Sequence, residues 1–237
     1  MTRAAMKTIG LIGGMSWEST IPYYRHINET VRAELGGLHS AKVVLHSVNF
    51  QEIEVLMRAN DWQQIGQQLG RVAQNLEAAG ADFLVLCTNT MHIVAPAIET
   101  AVRIPLHHIA DPTAIAIKAQ GFQTVALIGT RPTMAQSFYK DRLAEHHGLA
   151  VITPDTADQD TIHRIIFEEL CLGKINDASR LAYRQAMDKL VRQGAQAVIL
   201  GCTEISLLVD QSDCSVPLFD TTTLHAVSAA KRALAAG

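Results

Sequence analysis

In two segments of the sequence, an apolar run ends in side chains that can donate or accept a proton. The first contains Thr88 within Leu-Val-Leu-Cys-Thr-Asn-Thr-Met-His, and the second contains Cys202 within Val-Ile-Leu-Gly-Cys-Thr-Glu. The pKa of a free thiol is about 8.5, and a helix N-terminus or a nearby cation lowers it. A hydroxyl is a much weaker acid that suits proton donation or relay. Thr88 and Cys202 occupy the same place in the two segments, so we expect them to face each other across one substrate.

Polar neighbours of these two residues complete the candidate site. Asn89, Thr90 and Thr203 can donate hydrogen bonds to charge that develops on a substrate carboxylate during proton removal. Asn89 and Thr90 are also typical helix caps, and the two roles are compatible. We expect Glu204 to hold a substrate ammonium group, or to orient Thr203 or His92.

A glycine pair follows the first predicted strand, in the turn Gly13-Gly14-Met15-Ser16. Such a pair lets backbone approach a ligand closely and directs helix N–H groups at an anion. The run lacks the G-x-G-x-x-G spacing of a dinucleotide site, so a small carboxylate is the better ligand. We expect Met15 and Ser16 to approach the substrate.

Apolar runs that alternate with amphipathic stretches predict an α/β fold built on mostly parallel sheets. We predict strands at residues 7–12, 42–47, 82–87, 104–109, 124–130, 151–153, 197–201 and 216–219. We predict helices at residues 17–34, 52–58, 61–79, 93–102, 134–146, 160–172, 177–193 and 222–235. No element is assigned to residues 110–123, and the chain is expected to pass between lobes at residues 108–112.

Two landmarks recur at nearly equal offsets, which indicates an internal repeat. Ile12 matches Ile128 at an offset of 128 − 12 = 116, and Thr88 matches Cys202 at an offset of 202 − 88 = 114. We therefore expect two similar lobes, each a mostly parallel sheet flanked by helices. Ligands of such sheets bind at the carboxyl ends of the strands, so the active site is expected in the cleft between the lobes.

Composition excludes several other classes of protein. Of the 237 residues, 48% are hydrophobic and 18% charged, and the net charge of −3 offers no basic face for nucleic acid. No apolar run approaches the roughly 18 residues of a membrane helix, and residues 1–6 are too short and polar for a signal peptide. The four cysteines form no C-x-x-C pair, so zinc is not indicated. We expect a cytoplasmic protein with reduced thiols and no bound metal.

Three motifs carry a resemblance to a known family: G-G-M-S-W-E-S-T, C-T-N-T-M-H and G-C-T-E. Their order and spacing resemble the aspartate/glutamate racemase family over essentially the whole chain, with most likeness to the enterobacterial branch of broad-specificity amino-acid racemases. The resemblance implies amino-acid racemisation in a cleft between two α/β lobes, without pyridoxal phosphate or another cofactor, by a homodimer. It also implies that the chain returns to the first lobe, giving lobes of residues 1–108 plus 214–237 and of residues 109–213.

The sequence departs from the family pattern at the first catalytic position. The family usually has Cys immediately before Asn-Thr, where this chain has Thr88, as the enterobacterial branch also has. Cys87 lies one residue earlier, and neighbouring residues of a strand point to opposite faces, so it is not expected to replace the missing thiol. The resemblance further implies that Cys202 is the base for L-substrates.

Side-chain specificity and rival functions stay open at this point. An acidic substrate calls for Arg or Lys, yet residues 48–52 and 168–172 contain neither; Arg58 and Lys174 are nearby. Met57 and Leu172 fit neutral side chains such as those of homoserine, methionine or leucine. We favour broad specificity, with an aspartate/glutamate-specific racemase as the alternative. Other rivals are a hydantoin racemase, a decarboxylase of substituted malonates, a maleate isomerase and a non-catalytic amino-acid-binding protein.

Overall fold

A computed structural model describes residues 5–235 of the chain. The described residues form two compact units, residues 5–109 with 225–235 (unit 1) and Ala110–Leu224 (unit 2). Residues 1–4, which belong to the stretch 1–6 considered above, and residues 236–237 at the end of the predicted first lobe lie outside the described part.

Helices and strands alternate throughout the described chain. The strands are β1 (Ile9–Gly13), β2 (Val43–Ser47), β3 (Phe83–Leu86), β4 (Leu106–His107), β5 (Thr124–Gly129), β6 (Ala150–Ile152), β7 (Ala197–Gly201) and β8 (Leu218–Asp220). The helices are α1 (Trp17–Leu35), α2 (Phe50–Arg58), α3 (Trp62–Ala78), α4 (Ala95–Ala101), α5 (Ala110–Ala119), α6 (Arg131–Ala135), α7 (Ser137–Asp141), α8 (Thr156–Glu168), α9 (Asp177–Arg192) and α10 (Thr221–Leu234).

Unit 1 is built on a four-stranded parallel sheet in the order β2-β1-β3-β4. Both faces of its central strands are covered, as parallel sheets require. Along β3, Leu84 and Leu86 pack with residues of α3 and α4, whereas Phe83 and Val85 pack with residues of α1 and α10. The alternation follows from the two-residue period of a strand, and it fixes which face each residue at the strand end can use.

Unit 2 contains a second parallel sheet in the equivalent order, β6-β5-β7-β8. Ile12 pairs with Leu86 in the first sheet, and Ile128 pairs with Leu200 in the second. The offsets between equivalent positions are 128 − 12 = 116 and 200 − 86 = 114. The predicted internal repeat and α/β class are therefore confirmed, and β3 and β7 are equivalent strands.

Several predicted boundaries differ from the structure. Helix α5 was not predicted, although Pro112 in its first turn is compatible with a helix start. The single helix predicted at residues 134–146 is instead α6, α7 and a π-helical turn, Arg142–His146. Residues 214–224 were assigned to the first lobe, but β8 pairs with β7, so the chain returns to unit 1 only after Leu224.

No helix within residues 5–235 combines the length and the apolar character needed to cross a membrane.

Gly14 generates a prediction about the loop that follows β1. Its φ is +91°, and a Cβ added there would lie 2.4 Å from the carbonyl oxygen of Val48. Gly14→Ala should lower the free energy of unfolding by about 3 kcal/mol or more, because a strained backbone and a steric clash add. Urea unfolding followed by circular dichroism measures the loss.

Gly80→Ala is the matched control for this substitution. Gly80 has nearly the same φ, +90°, but nothing lies within 4 Å of its added Cβ. Only the backbone strain applies there, so the expected loss is about 1–2 kcal/mol. Equal losses in the two variants would contradict the assigned contact with Val48.

Candidate active site

The first proton-carrying segment begins where β3 ends. Cys87 is fully buried in the cluster that α1 and α10 cover, and burial raises the pKa of its thiol far above the usual value. Its Sγ lies 3.8 Å from the carbonyl oxygen of Val85. Cys87 is therefore a core residue, in agreement with the prediction that it does not replace the missing catalytic thiol.

Thr88 is held through its backbone immediately after the strand. Its N–H donates to the carbonyl oxygen of Leu86 at 2.8 Å, and its carbonyl oxygen accepts from His92 Nδ1 at 2.8 Å. Only 7% of Thr88 is exposed. The segment is thus a buried, hydrogen-bonded turn at the end of β3.

Asn89 and Thr90 are buried beside Thr88 and lead into a 3₁₀ helix, Thr90–Val94. Asn89 occupies the N-cap position, but its side chain makes no capping hydrogen bond to that helix. A simple capping role therefore does not account for the Asn89 side chain, whereas a role in binding substrate is compatible with its position.

The loop after β1 is held by hydroxyl groups of α1. Thr20 Oγ1 accepts from the Gly14 N–H and donates to the Ser16 carbonyl oxygen, both at 2.9 Å. Ser16 Oγ caps α1 by accepting from the Ser19 N–H at 3.4 Å. The side chain of Met15 packs in the core that α3 and α4 cover. Backbone and Ser16 are thus the groups of this loop best suited to contact a ligand.

Met57 and the nearby cations lie in different surroundings. Met57 is half-buried on α2 and packs against the core of unit 1. Arg58 forms an ion pair with Glu54, and its side chain is 81% exposed. Lys174 is exposed in unit 2. Neither cation is placed in a buried pocket that would select an acidic side chain.

The second proton-carrying segment follows β7 and contains a thiol in contact with a carboxylate. Cys202 Sγ donates to Glu204 Oε2 at 3.0 Å, and Thr203 Oγ1 donates to the same oxygen at 2.6 Å. Cys202 and Glu204 are buried, with 8% and 4% of their surfaces exposed. Glu204 therefore orients Thr203, as one of our alternatives predicted, and it directly contacts the candidate catalytic thiol.

No α-helix begins in the described segment between Cys202 and β8, so no helix N-terminus there lowers the pKa of the Cys202 thiol. The segment after Cys202 forms only a 3₁₀ turn, Ile205–Leu207, which is too short for a useful helix dipole. Burial, and then the charge of Glu204, raise the pKa of the Cys202 thiol well above its usual value. The resting thiol is consequently protonated and donates its hydrogen to Glu204.

Sequence reasoning gave Cys171 no role, yet it lies beside the same carboxylate. Its Sγ is 3.8 Å from Glu204 Oε1, on a 3₁₀ turn that follows α8. Tyr183 belongs to the same buried cluster as Cys202, and burial, followed by nearby ionisable groups that include Glu204, raises the pKa of its hydroxyl. Glu204 is the carboxylate in direct contact with Cys202. Nothing in the spacing of residues 171 and 204 signals this contact.

Across residues 5–235, no group of three or more His, Cys, Asp and Glu side chains is arranged to hold a metal ion. The four cysteines are all present as free thiols.

Comparisons with known proteins agree with the two-sheet architecture. The sequence pattern of a family described as Asp/Glu/hydantoin racemase matches residues 12–229. The broad specificity amino-acid racemase RacX of Bacillus subtilis is 23% identical over 239 residues, covering 96% of this chain and 98% of that protein.

Solved structures resemble the chain over nearly its full length. A candidate Asp/Glu racemase from Yersinia pestis has 59% identity and a TM-score of 0.91, covering 97% of this chain and 100% of that one. An aspartate racemase homologue from Pyrococcus horikoshii OT3 has 34% identity and a TM-score of 0.82, covering 96% and 99%. The fold with two four-stranded parallel sheets is thus shared with these proteins.

The contact between thiol and carboxylate predicts how Cys202 titrates. Glu204→Gln removes a negative charge next to the thiol, so the pKa of Cys202 should fall and thiolate should form at lower pH than in the unsubstituted protein. Thiolate absorbance near 240 nm, recorded against pH and corrected with Cys202→Ala, measures the shift.

Glu168→Gln provides the control, because Glu168 is an exposed carboxylate of the same unit that pairs with Arg164. It should leave the titration of Cys202 unchanged. A Cys202 pKa that stays constant or rises in Glu204→Gln would contradict the assigned electrostatic coupling.

Proposed function

Because the chain belongs to the Asp/Glu/hydantoin racemase family and is an isomerase, we propose that it interconverts L- and D-amino acids by direct proton transfer at Cα. Cys202 and Thr88 are the proposed catalytic groups on opposite faces of the substrate. The observation that carries the proposal is the equivalence of β3 and β7, which end in Thr88 and Cys202 respectively. An internal repeat thus supplies two proton-transfer groups, as inversion of a stereocentre requires.

Glu204 gives the thiol a route to its reactive form. The Cys202 proton moves to Glu204 Oε2, and the resulting thiolate removes the Cα proton of the L-substrate. A raised thiol pKa makes the thiolate rarer but also a stronger base, which suits a weakly acidic C–H bond. Burial of Sγ therefore favours a strong base, which forms when the Glu204 carboxylate accepts the thiol proton.

Thr88 completes the inversion from the other face. Its hydroxyl donates a proton to the planar carbanion, and its oxygen takes up a proton from solvent or a polar neighbour in the same step. Asn89, Thr90 and Thr203, with N–H groups of the Met15–Ser16 loop, are the proposed donors to the substrate carboxylate. Met57 is the proposed contact for the substrate side chain. No cofactor takes part in this scheme.

We propose broad specificity for amino acids with neutral side chains. The carboxylate of Glu204, which contacts Cys202 Sγ, opposes a second carboxylate on the substrate. Arg58 is paired and exposed, so it offers an acidic side chain no buried partner. The relative RacX, described as a broad specificity racemase, is consistent with this choice.

An aspartate/glutamate-specific racemase is the second candidate. Two relatives with higher identity, at 59% and 34%, are described in terms of Asp/Glu and aspartate racemases. That candidate requires a cation, from Arg58 or Lys174, to reach the substrate, and it predicts that both acidic amino acids turn over faster than homoserine, methionine and leucine.

We further propose a cytoplasmic homodimer. Four free thiols suit a reducing compartment. An apolar stripe on α1, formed by Trp17, Ile21 and Tyr24 at 61%, 47% and 56% exposure, supports self-association.

Hydrogen exchange at Cα tests the proposed reaction. Purified protein in D₂O with a panel of L-amino acids should exchange the Cα hydrogen and produce the D-enantiomer, with neutral substrates preferred. Proton NMR and chiral chromatography report both events. Cys202→Ala should reduce inversion by at least about 100-fold, whereas Thr88→Cys should keep or raise turnover of the D-enantiomer.

Cys214→Ala is the control, because Cys214 is a buried thiol of unit 2 outside the candidate site; it should keep near-full activity. Full racemisation by Cys202→Ala would refute the scheme. Binding of amino acids without any Cα exchange would support the non-catalytic binding protein instead.

A further inference from the structure

We propose that His92 is a positioning residue that fixes Thr88 for proton transfer, an inference that rests on the proposed racemase function. His92 is 2% exposed and lies four residues after Thr88. Its Nδ1 is 2.8 Å from the Thr88 carbonyl oxygen, and its Nε2 is 3.2 Å from the backbone nitrogen of Ile109. One buried imidazole thus connects the proposed catalytic turn to the last residue before unit 2.

The two bonds define the protonation state of the ring. A carbonyl oxygen only accepts, so Nδ1 carries the hydrogen that Thr88 receives. The Ile109 N–H only donates, so Nε2 carries no hydrogen. The arrangement therefore needs a neutral His92 with its proton on Nδ1. In an imidazolium, the Nε2–H would point at the Ile109 N–H, and neither group could accept a hydrogen bond.

The ring replaces backbone pairing where the sheet of unit 1 ends. Val85 pairs with His107 at the end of the β3–β4 ladder. Strand β3 ends at Leu86, and strand β4 ends at His107. In continued register Cys87 would face Ile109, and backbone hydrogen bonds would close the gap. The imidazole occupies that place, so the strands end while Thr88 stays tied to the neighbouring chain.

Neighbouring aromatic groups hold the imidazole in this position. The ring of His108 lies 4.3 Å from that of His92, and the ring of His225 lies 6.1 Å away. His225 Nε2 donates to the His107 carbonyl oxygen at 2.7 Å, and its Nδ1 lies 2.8 Å from the Tyr23 hydroxyl oxygen. These neighbouring rings leave little space for the His92 ring to rotate.

Two substitutions separate the two bonds of His92. Asparagine places an amide nitrogen near the position of Nδ1, so His92→Asn can keep the bond to Thr88 while losing the one to Ile109. Glutamine reaches the position of Nε2, so His92→Gln can keep the acceptor for Ile109 while losing the donor to Thr88. If His92 positions Thr88, the glutamine variant is the defective one.

The kinetic test uses Cα-deuterated L- and D-substrates. His92→Gln should reduce kcat at least about tenfold, since small displacements of a reacting group are costly. Slower proton transfer at Thr88 makes that step limit the rate more strongly. The substrate isotope effect on kcat/KM should therefore fall for the L-enantiomer, whose Cα hydrogen Cys202 removes. It should rise for the D-enantiomer, whose Cα hydrogen Thr88 removes. His92→Asn should keep isotope effects close to those of the unsubstituted protein.

His107→Gln is the control within the same cluster, because His107 side-chain bonds reach Ser228 and Arg232 and not Thr88. It should change stability without changing the isotope effects. Equal isotope effects in His92→Gln and the unsubstituted protein, or the same change in His92→Asn, would overturn the positioning role.

Two measurements on folded protein do not depend on turnover. Nitrogen-15 NMR should show His92 neutral with its hydrogen on Nδ1, and the Ile109 amide should lose protection from exchange in His92→Asn but not in His92→Gln. The opposite tautomer or an imidazolium would overturn the inference even if a variant failed to fold. Absence of Cα exchange in the unsubstituted protein would instead refute the proposed function.

Discussion

A parallel sheet covered by helices on both faces leaves the ends of its strands as the places where polar side chains can reach a ligand. This constraint governs both units. In β3 every residue is buried, so the first polar group after the strand is Thr88; β7 is equally buried and is followed by Cys202. The apolar alternation that stabilises each sheet thereby determines where chemistry can occur. It also explains why Cys87 cannot take part, since it belongs to the core of unit 1.

The buried carboxylate of Glu204 makes the thiolate form of Cys202 less abundant and raises the proton affinity of its sulfur. Placed 3.0 Å from Cys202 Sγ, it favours the neutral thiol, which raises the pKa of Cys202. A helix dipole would have acted in the opposite direction and produced a more abundant but weaker base. The hydrogen bonds from Thr203 and Cys171 keep the carboxylate satisfied although it is almost fully buried. In the proposed reaction, unit 2 therefore supplies a thiol whose sulfur has a high proton affinity.

Sequence patterns predicted the features that depend on local periodicity and missed those that depend on long-range packing. The strands that end at Thr88 and Cys202, and the offset between the two halves, are visible because buried strands give apolar runs of defined length. Helix α5 was missed because its apolar residues lack clear periodicity and Pro112 resembles a breaker. The boundary after Leu224 depends on β8 pairing with β7, and apolar runs predict strands without showing which strands pair. The contact between Cys171 and Glu204 was also missed, because it depends on packing between residues that are 33 positions apart in the sequence.

The two halves of the repeat share their topology, but different side chains accompany the two proposed catalytic groups, Thr88 and Cys202. After β3, a hydroxyl is accompanied four residues later by His92, whose neutral ring binds backbone. After β7, a thiol is accompanied two residues later by Glu204, whose charge acts on the thiol itself. The difference follows from chemistry: a threonine hydroxyl is too weak an acid for a neighbouring charge to ionise it usefully, so its position is the property that the protein can control. A cysteine thiol titrates in an accessible range, so its proton affinity can be adjusted as well. In the proposed reaction, Thr88 therefore needs a neighbour that fixes its position, whereas Cys202 has a neighbour whose charge adjusts its proton affinity.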